Sequence, residues 1–263
     1  MTVATPPRVL WPRYFMTEMK RYQRTWRASL TSNVLYPVLY LASMGLGVGH
    51  LVASHHHLVA GTTYLKYIAP GLVAVAATQT AAAECMWPVL GGVMWEKTYH
   101  VAITSPLSVT DIVRGRLAYV AARVAVISVM NVAVVGAFGA LDSWWTMVVP
   151  LISVLTGLSI AAPVFAYSAQ VTSDSKFAII QRFAIMPMSL FSATFYPLSA
   201  YPHWLRPVVE IMPLYHAVVL SRAAMTGHGD FTLLLIHAGV LMIVALVGLR
   251  WAQQNLTRRL DPS

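Results

Sequence analysis

A few groups of residues in this chain have types and spacings that suit chemistry. Gly91, Gly92, Val93, Met94, Trp95, Glu96, Lys97 and Thr98 come close to a phosphate-binding loop, which needs Gly, four residues, Gly, Lys, then Ser or Thr. Glu96 stands where the second Gly belongs. A carboxylate beside a triphosphate is electrostatically wrong, and no strand is expected before the segment, so any ATP used is expected on another chain. Ser159, after Gly157 and Leu158, and the distant His237 are a serine and a histidine for a nucleophile and its base. That chemistry also needs oxyanion donors. A Ser bonded to its own helix backbone explains Ser159 more simply. His55, His56 and His57 cannot all face one metal from a regular element, and they read as a short solvated loop. The single cysteine, Cys85, excludes an intrachain disulfide and a Cys-based metal cluster. Glu84 and Arg123 are the most informative: each is a charge set inside an apolar stretch, where an unpaired ion is costly.

The elements around these residues follow from composition. Of 263 residues, 57% are apolar and only 10% charged, with a mean hydropathy of +0.63; soluble domains run about 45–50% apolar and about 25% charged. A soluble enzyme, a disordered chain and a disulfide-stapled module are all excluded. What fits is an all-α polytopic membrane protein with room for about six helices of roughly 20 residues. The expected spans are 30–52, 64–90, 112–141, 145–169, 177–195 and 231–251. Residues 1–29 form a separate basic, aromatic amphipathic stretch suited to a helix lying in the membrane interface; it lacks the apolar core of a signal peptide. Residues 30–263 form one six-helix transmembrane domain without repeats or linkers. Residues 196–229 are apolar but broken by Pro197, Pro202, Pro207 and Pro213. They read as two short helices dipping into the outer leaflet.

The net charge of +9 would raise nucleic acid for a soluble chain; here it sets orientation. With both termini inside, fifteen of the eighteen Lys and Arg residues fall on the cytoplasmic side, and only Lys66, Arg206 and Arg222 fall outside. Glu84 and Arg123 then sit at comparable depths on either side of one cytoplasmic loop, on antiparallel helices, and are expected to pair. Such a pair serves as a structural bridge, as a brace for the loop, or as a proton relay. The spacing of Gly45 and Gly49 gives the first span a surface for close helix packing. With six spans, Ser159 in the fourth and His237 in the sixth raise the alternative of a six-helix intramembrane protease. Against it, Ile160 replaces the glycine such enzymes carry, and the second span offers no His or Asn.

The cytoplasmic loop 94–116 is too long for a turn. Residues 95–103 are expected to form a short helix, broken at Ser105 and Pro106, with Trp95, Tyr99 and Ile103 on one side as a docking surface for a soluble partner. Ser108 or Thr110, with Asp111, is placed to cap the third span. Phe183, Met186, Met188, Phe191, Phe195 and Tyr196 suit a broad apolar substrate pathway or outer gate, and equally suit contact with lipid.

Together these features resemble the type-2 ABC exporter permeases, most closely the NodJ and daunorubicin-resistance permease group. Arg13-Tyr14-Phe15 with Arg24-Thr25-Trp26-Arg27 is similar to the family's elbow helix. Glu84, Trp95-Glu96 and the run Pro106 to Gly115 are similar to its second span and coupling loop. Pro187, Phe195-Tyr196-Pro197, Tyr201 to Leu205, Met212 to Ala217 and Arg222 are similar to its re-entrant outer segment. One departure is Ser192-Ala193-Thr194, where the family often has Ser-Gly and the tight turn a glycine allows. The resemblance implies two permease chains, identical or sister, in the cytoplasmic membrane. It implies a cytoplasmic ATPase holding ATP and Mg2+ beneath each coupling loop, against Trp95, Glu96, Tyr99, Ile103 and Pro106. ATP-driven closure would open the dimer outward and expel an amphipathic drug, lipid or lipid-linked glycan; haem export is a more distant alternative.

Overall fold

The structure, a computed structural model, describes residues 9–24, 26, 35, 38–43 and 62–260. Most of the expected first span, with Gly45 and Gly49, and the His55–His57 run lie outside the described residues. Those described residues form helices, turns and loops, with no β-strand.

Helix α1 (Trp11–Tyr22) opens with Pro12 in its first turn and closes with Lys20 and Arg21 in its last, the ends that suit proline and cations. Tyr14 and Glu18 face inward. Helix α2 (Tyr64–Cys85) is followed by α3 (Trp87–Met94). The expected span 64–90 is therefore broken at Met86, because Pro88 removes a backbone donor and restricts the residues before it. Helix α4 (Thr98–Ile103) is shorter than the expected 95–103: Lys97 turns the chain with φ 51°. Helix α5 (Val109–Ala137) starts at a capping box in which Ser108 accepts from the Asp111 N–H and the Asp111 carboxylate accepts from the Ser108 N–H.

A 3-10 turn, Trp144–Val148, leads into α6 (Val149–Ser168). Then come α7 (Ser175–Ile180), a π turn (Gln181–Ile185) and α8 (Met186–Phe191). The π turn lies where Pro187 has no N–H to offer the preceding turn, so the helix widens to an i→i−5 bond. Residues 196–229 hold a 3-10 turn, α9 (Arg206–Ile211) and α10 (Pro213–Thr226). Helix α11 (Phe231–Leu260) runs nine residues past the expected end at 251. Its extension is held by buried Ala252, Leu256 and Leu260 and by Asn255, which donates to the Ala166 carbonyl at 2.9 Å.

Among the described residues, three segments are long and apolar enough to cross a membrane: Val109–Ala137, Trp144–Ser168 and Phe231–Leu260. Helix α2 has the length but carries Lys66, Gln79 and Glu84, as befits a helix facing protein rather than lipid. The bundle is built around α6, which α2, α5, α10 and α11 surround. Small residues allow the close approach. A side chain at Gly248 of α11 would sit 2.6 Å from Pro163, and Ser128 of α5 donates to Ser153 of α6 at 2.8 Å.

Candidate functional site

Three buried charges, Glu18, Arg116 and Arg123, and the partly buried Glu84 meet where α1, α2 and α5 converge. Arg116, about two turns into α5, is the hub. Its Nη1 donates to Glu18 of α1 at 2.6 Å. Its Nη2 donates to the Glu84 carbonyl at 2.6 Å and to the Glu84 carboxylate at 3.2 Å. Two turns further along α5, Arg123 Nη2 lies 3.2 Å from the other Glu84 oxygen. Arg123 also donates to the Tyr119 hydroxyl at 3.3 Å and stacks 4.1 Å from the Tyr22 ring centre. Two carboxylates thus balance two guanidiniums, as charges at this depth require.

Sequence reasoning paired Glu84 with Arg123, and the structure brings these two together. It missed Arg116 and Glu18. Arg116 lies near a loop, where a cation is ordinary, and Glu18 lies in a basic, aromatic stretch suited to the membrane interface. The available signal was periodicity: Arg116, Tyr119 and Arg123 are spaced three and four apart on one helix face.

A second link ties α1 to α5. One oxygen of Asp111 accepts from the backbone N–H groups of Leu10 and Trp11, at 3.1 and 3.0 Å, while the other completes the α5 cap. Gly115 lets α1 lie this close, since a Cβ there would meet the Trp11 carbonyl at 2.8 Å and Tyr14 at 2.9 Å.

The loop between α3 and α5 joins this assembly. Tyr99 is 2% exposed; it stacks on Tyr14 and sets its edge against Phe165. Burial pushes the phenols of Tyr14 and Tyr99 well above their ordinary range, so both stay protonated. The expectation that Tyr99 shares an exposed face with Trp95 is therefore corrected. Lys97 breaks the helix between them, so the four-residue spacing no longer places them on one side. Trp95 and Val101 are the exposed apolar residues here, at 64% and 67%. Pro106 is exposed, Ile103 half-buried, and exposed Glu96 pairs with Arg21 of α1.

At the far end of α2, Lys66 pairs with Asp142, about 27 Å from Glu84 by helical rise. Arg222 of α10 lies over the Tyr67 ring and donates to the carbonyl of Ala193 at 3.0 Å. Ala193 has φ 55°. The tight turn that the missing glycine would favour is present, with an alanine held in the left-handed region.

Among the candidate pathway residues, Phe183, Met186, Phe191 and Tyr196 are exposed, and Phe195 packs on Tyr40. Met186 and Phe195 line one cavity, whereas Phe183, Phe191 and Tyr196 do not. Ser159 and His237 are engaged apart from each other. Ser159 donates to the Thr156 carbonyl at 2.7 Å, and His237 shares a 2.6 Å Nδ1–Nδ1 contact with His216 of α10. No protease dyad forms between them.

The ABC-2 type transporter family matches residues 13–226. Nodulation protein J of Rhizobium leguminosarum bv. viciae is 27% identical, with 99% of each chain covered. Nodulation protein J of Rhizobium meliloti (strain 1021) is 26% identical over 96% of this chain and 93% of that protein. The inner membrane transport permease YadH of Escherichia coli (strain K12) is 22% identical over 89% and 90%. The apolar helices, the charge balance within them and a match across most of the length agree: the chain is a membrane transport permease and belongs to the ABC-2 type transporter family.

Proposed function

We propose that the chain is the transmembrane subunit of an ATP-driven exporter, with six spans, both termini in the cytoplasm and a separate ATPase chain docked on the α3–α4 loop. Its place is the cytoplasmic membrane; its relative YadH is an inner membrane transport permease. The observation that carries this is the linkage beneath the loop. Exposed Trp95 and Val101 offer a partner an apolar contact. Directly behind them, Tyr99 packs on α1 and α6, and the charge cluster joins α1 to α2 and α5. A push on the loop is passed to four helices rather than absorbed by a flexible turn.

Two such chains, identical or sister, face each other across the first and fifth spans; in the fifth, Phe183 of the π turn and Phe191 of α8 are uncovered. The cargo is an amphipathic drug, lipid or lipid-linked glycan moved outward. The test is co-expression with a candidate ABC ATPase, reading ATP turnover and export together. Trp95→Ala combined with Val101→Asp is expected to lower coupled export at least tenfold while the chain stays folded, since neither side chain is in the core. Undiminished export places the docking surface elsewhere.

A further inference from the structure

Helices α10 and α11 meet at two histidines. His216 of α10 and His237 of α11 bring their Nδ1 atoms to 2.6 Å, with ring centres 4.9 Å apart. Tyr215 packs edge-on against both rings, at 5.6 and 5.9 Å. His216 is 8% exposed. His237 is half-buried and lines a cavity of about 570 Å³ between α2, α10 and α11. That space holds many waters, and its lining includes the exposed loop residues His228, Gly229 and Asp230. Protons from the surrounding water reach the pair through His237.

A contact between two ring nitrogens holds one hydrogen: one Nδ1–H donates, and the other Nδ1 accepts through its lone pair. The contact survives with both rings neutral. It also survives with one ring charged, which strengthens the bond. With both charged, two N–H groups face each other and two cations repel at this distance. Nothing nearby offsets that repulsion, since neither ring has an ion-pair partner among the described residues. From α2 come Tyr67 and Lys66, the latter paired with Asp142. From α9 come exposed Glu210 and Arg206, which is turned to the Tyr201 and Ser199 carbonyls. Besides Tyr215, α10 brings Arg222, a further cation in the cavity lining. Of the loop before α11, His228 lines the same cavity, and Asp230 accepts from the Thr232 N–H at 2.8 Å. The 3-10 turn brings no titratable group, and α6 has only Tyr167, in its last turn at the other end.

We propose that His216 and His237 form a proton-operated latch between α10 and α11, closed with at most one ring charged and released when the second is charged. Release reaches beyond the two rings, because α10 also carries Arg222, which donates to the Ala193 and Tyr67 carbonyls at 3.0 and 3.4 Å. The turn at Ala193 and the start of α2 are thereby tied to the helix that the histidines tie to α11. Histidine is the side chain whose ordinary charge change falls between about pH 5 and 8, so the latch answers just below neutrality. Opening takes up one proton, so the open fraction rises as pH falls, by up to about tenfold per pH unit.

Hydrogen exchange of the full chain in lipid nanodiscs, corrected for intrinsic exchange and followed from about pH 7.5 to about pH 5, tests this. Peptides from 213–226 are expected to lose protection below about pH 6.5, by up to about tenfold per pH unit, while peptides from 149–168 keep theirs. His216→Asn and His237→Asn each keep a hydrogen bond, because a carboxamide both donates and accepts, but neither pair can hold two charges. Each is expected to flatten the profile, whereas His228→Asn, outside the pair, leaves it unchanged. The latch is overturned if protection of 213–226 does not change with pH, if either asparagine variant of the pair retains the full dependence, or if His228→Asn removes it. Where the asparagine variants fail to fold, the two sets of peptides in the unaltered chain decide: an equal loss in 149–168 is general acid destabilisation and overturns the latch.

Discussion

Replacing Glu84 and Arg123 singly and together probes the charge cluster most directly. Glu84→Gln leaves two guanidiniums facing one carboxylate. Arg116 keeps Glu18 at 2.6 Å, but Arg123 is left with the Tyr22 ring and the Tyr119 hydroxyl. Arg123→Met leaves two carboxylates on Arg116 alone. Breaking a buried pair costs about 3–5 kcal/mol. The side chains of Glu84 and Arg123 are 17% and 10% exposed, and Tyr22 retains part of the arginine's attraction, so each single change should cost about 3 kcal/mol, at the low end of that range. Independent effects would sum to about 6 kcal/mol. The double variant restores neutrality around Arg116 and Glu18, and its cost should be no more than about 3 kcal/mol. Arg116→Met should be the worst single change, at about 5 kcal/mol, since it strands Glu18, leaves Glu84 to Arg123 alone and frees the Glu84 carbonyl. Equilibrium unfolding of the reconstituted chain in mixed micelles, followed by tryptophan fluorescence, measures all four. A double variant within about 0.5 kcal/mol of the sum of the singles shows uncoupled sites and refutes the network.

Two further outcomes are expected. Ala193→Gly should stabilise the chain by about 1 kcal/mol, because φ 55° costs alanine what glycine does not lose; an unfolding temperature that falls would show that Ala193 contributes packing worth more than its backbone strain. Gly115→Ala should cost about 1–3 kcal/mol by forcing α1 off α5, and should speed tryptic cleavage at Lys20 and Arg21; cleavage at the unaltered rate would mean that α1 accommodates the methyl group in place.

Helices and their rough ends were legible because apolar stretches of membrane length leave few alternatives. Ser108 and Asp111 were legible as a cap because that chemistry is local. Misjudged boundaries had specific causes. Pro88 was absorbed into a span on hydropathy alone, although it ends α2 at Cys85. The last helix was stopped at 251 where polarity rises, yet Asn255 and Leu256 are buried against α6. The pairing of Glu84 with Arg123 followed from two rare charges on antiparallel helices. The hub, Arg116, did not, because an arginine near a loop is ordinary until another helix is known to cover it. Tyr99 was misplaced for a related reason: nothing in its neighbours announces that Lys97 adopts a left-handed turn.

The double duty of Asp111 bears on how the chain is made. The backbone groups that hold the start of α1 are Leu10 and Trp11, and their acceptor lies 101 and 100 residues downstream. At a synthesis rate of about 5–20 residues per second, α1 leaves the ribosome roughly 5–20 s before its anchor does. Glu18 waits equally long for Arg116. During that interval α1 has its amphipathic face and no docking site, so the membrane surface must hold it. Only when α5 has formed can the helix be locked down, which makes α5, rather than α1 itself, the step that commits the N-terminal end to its final place.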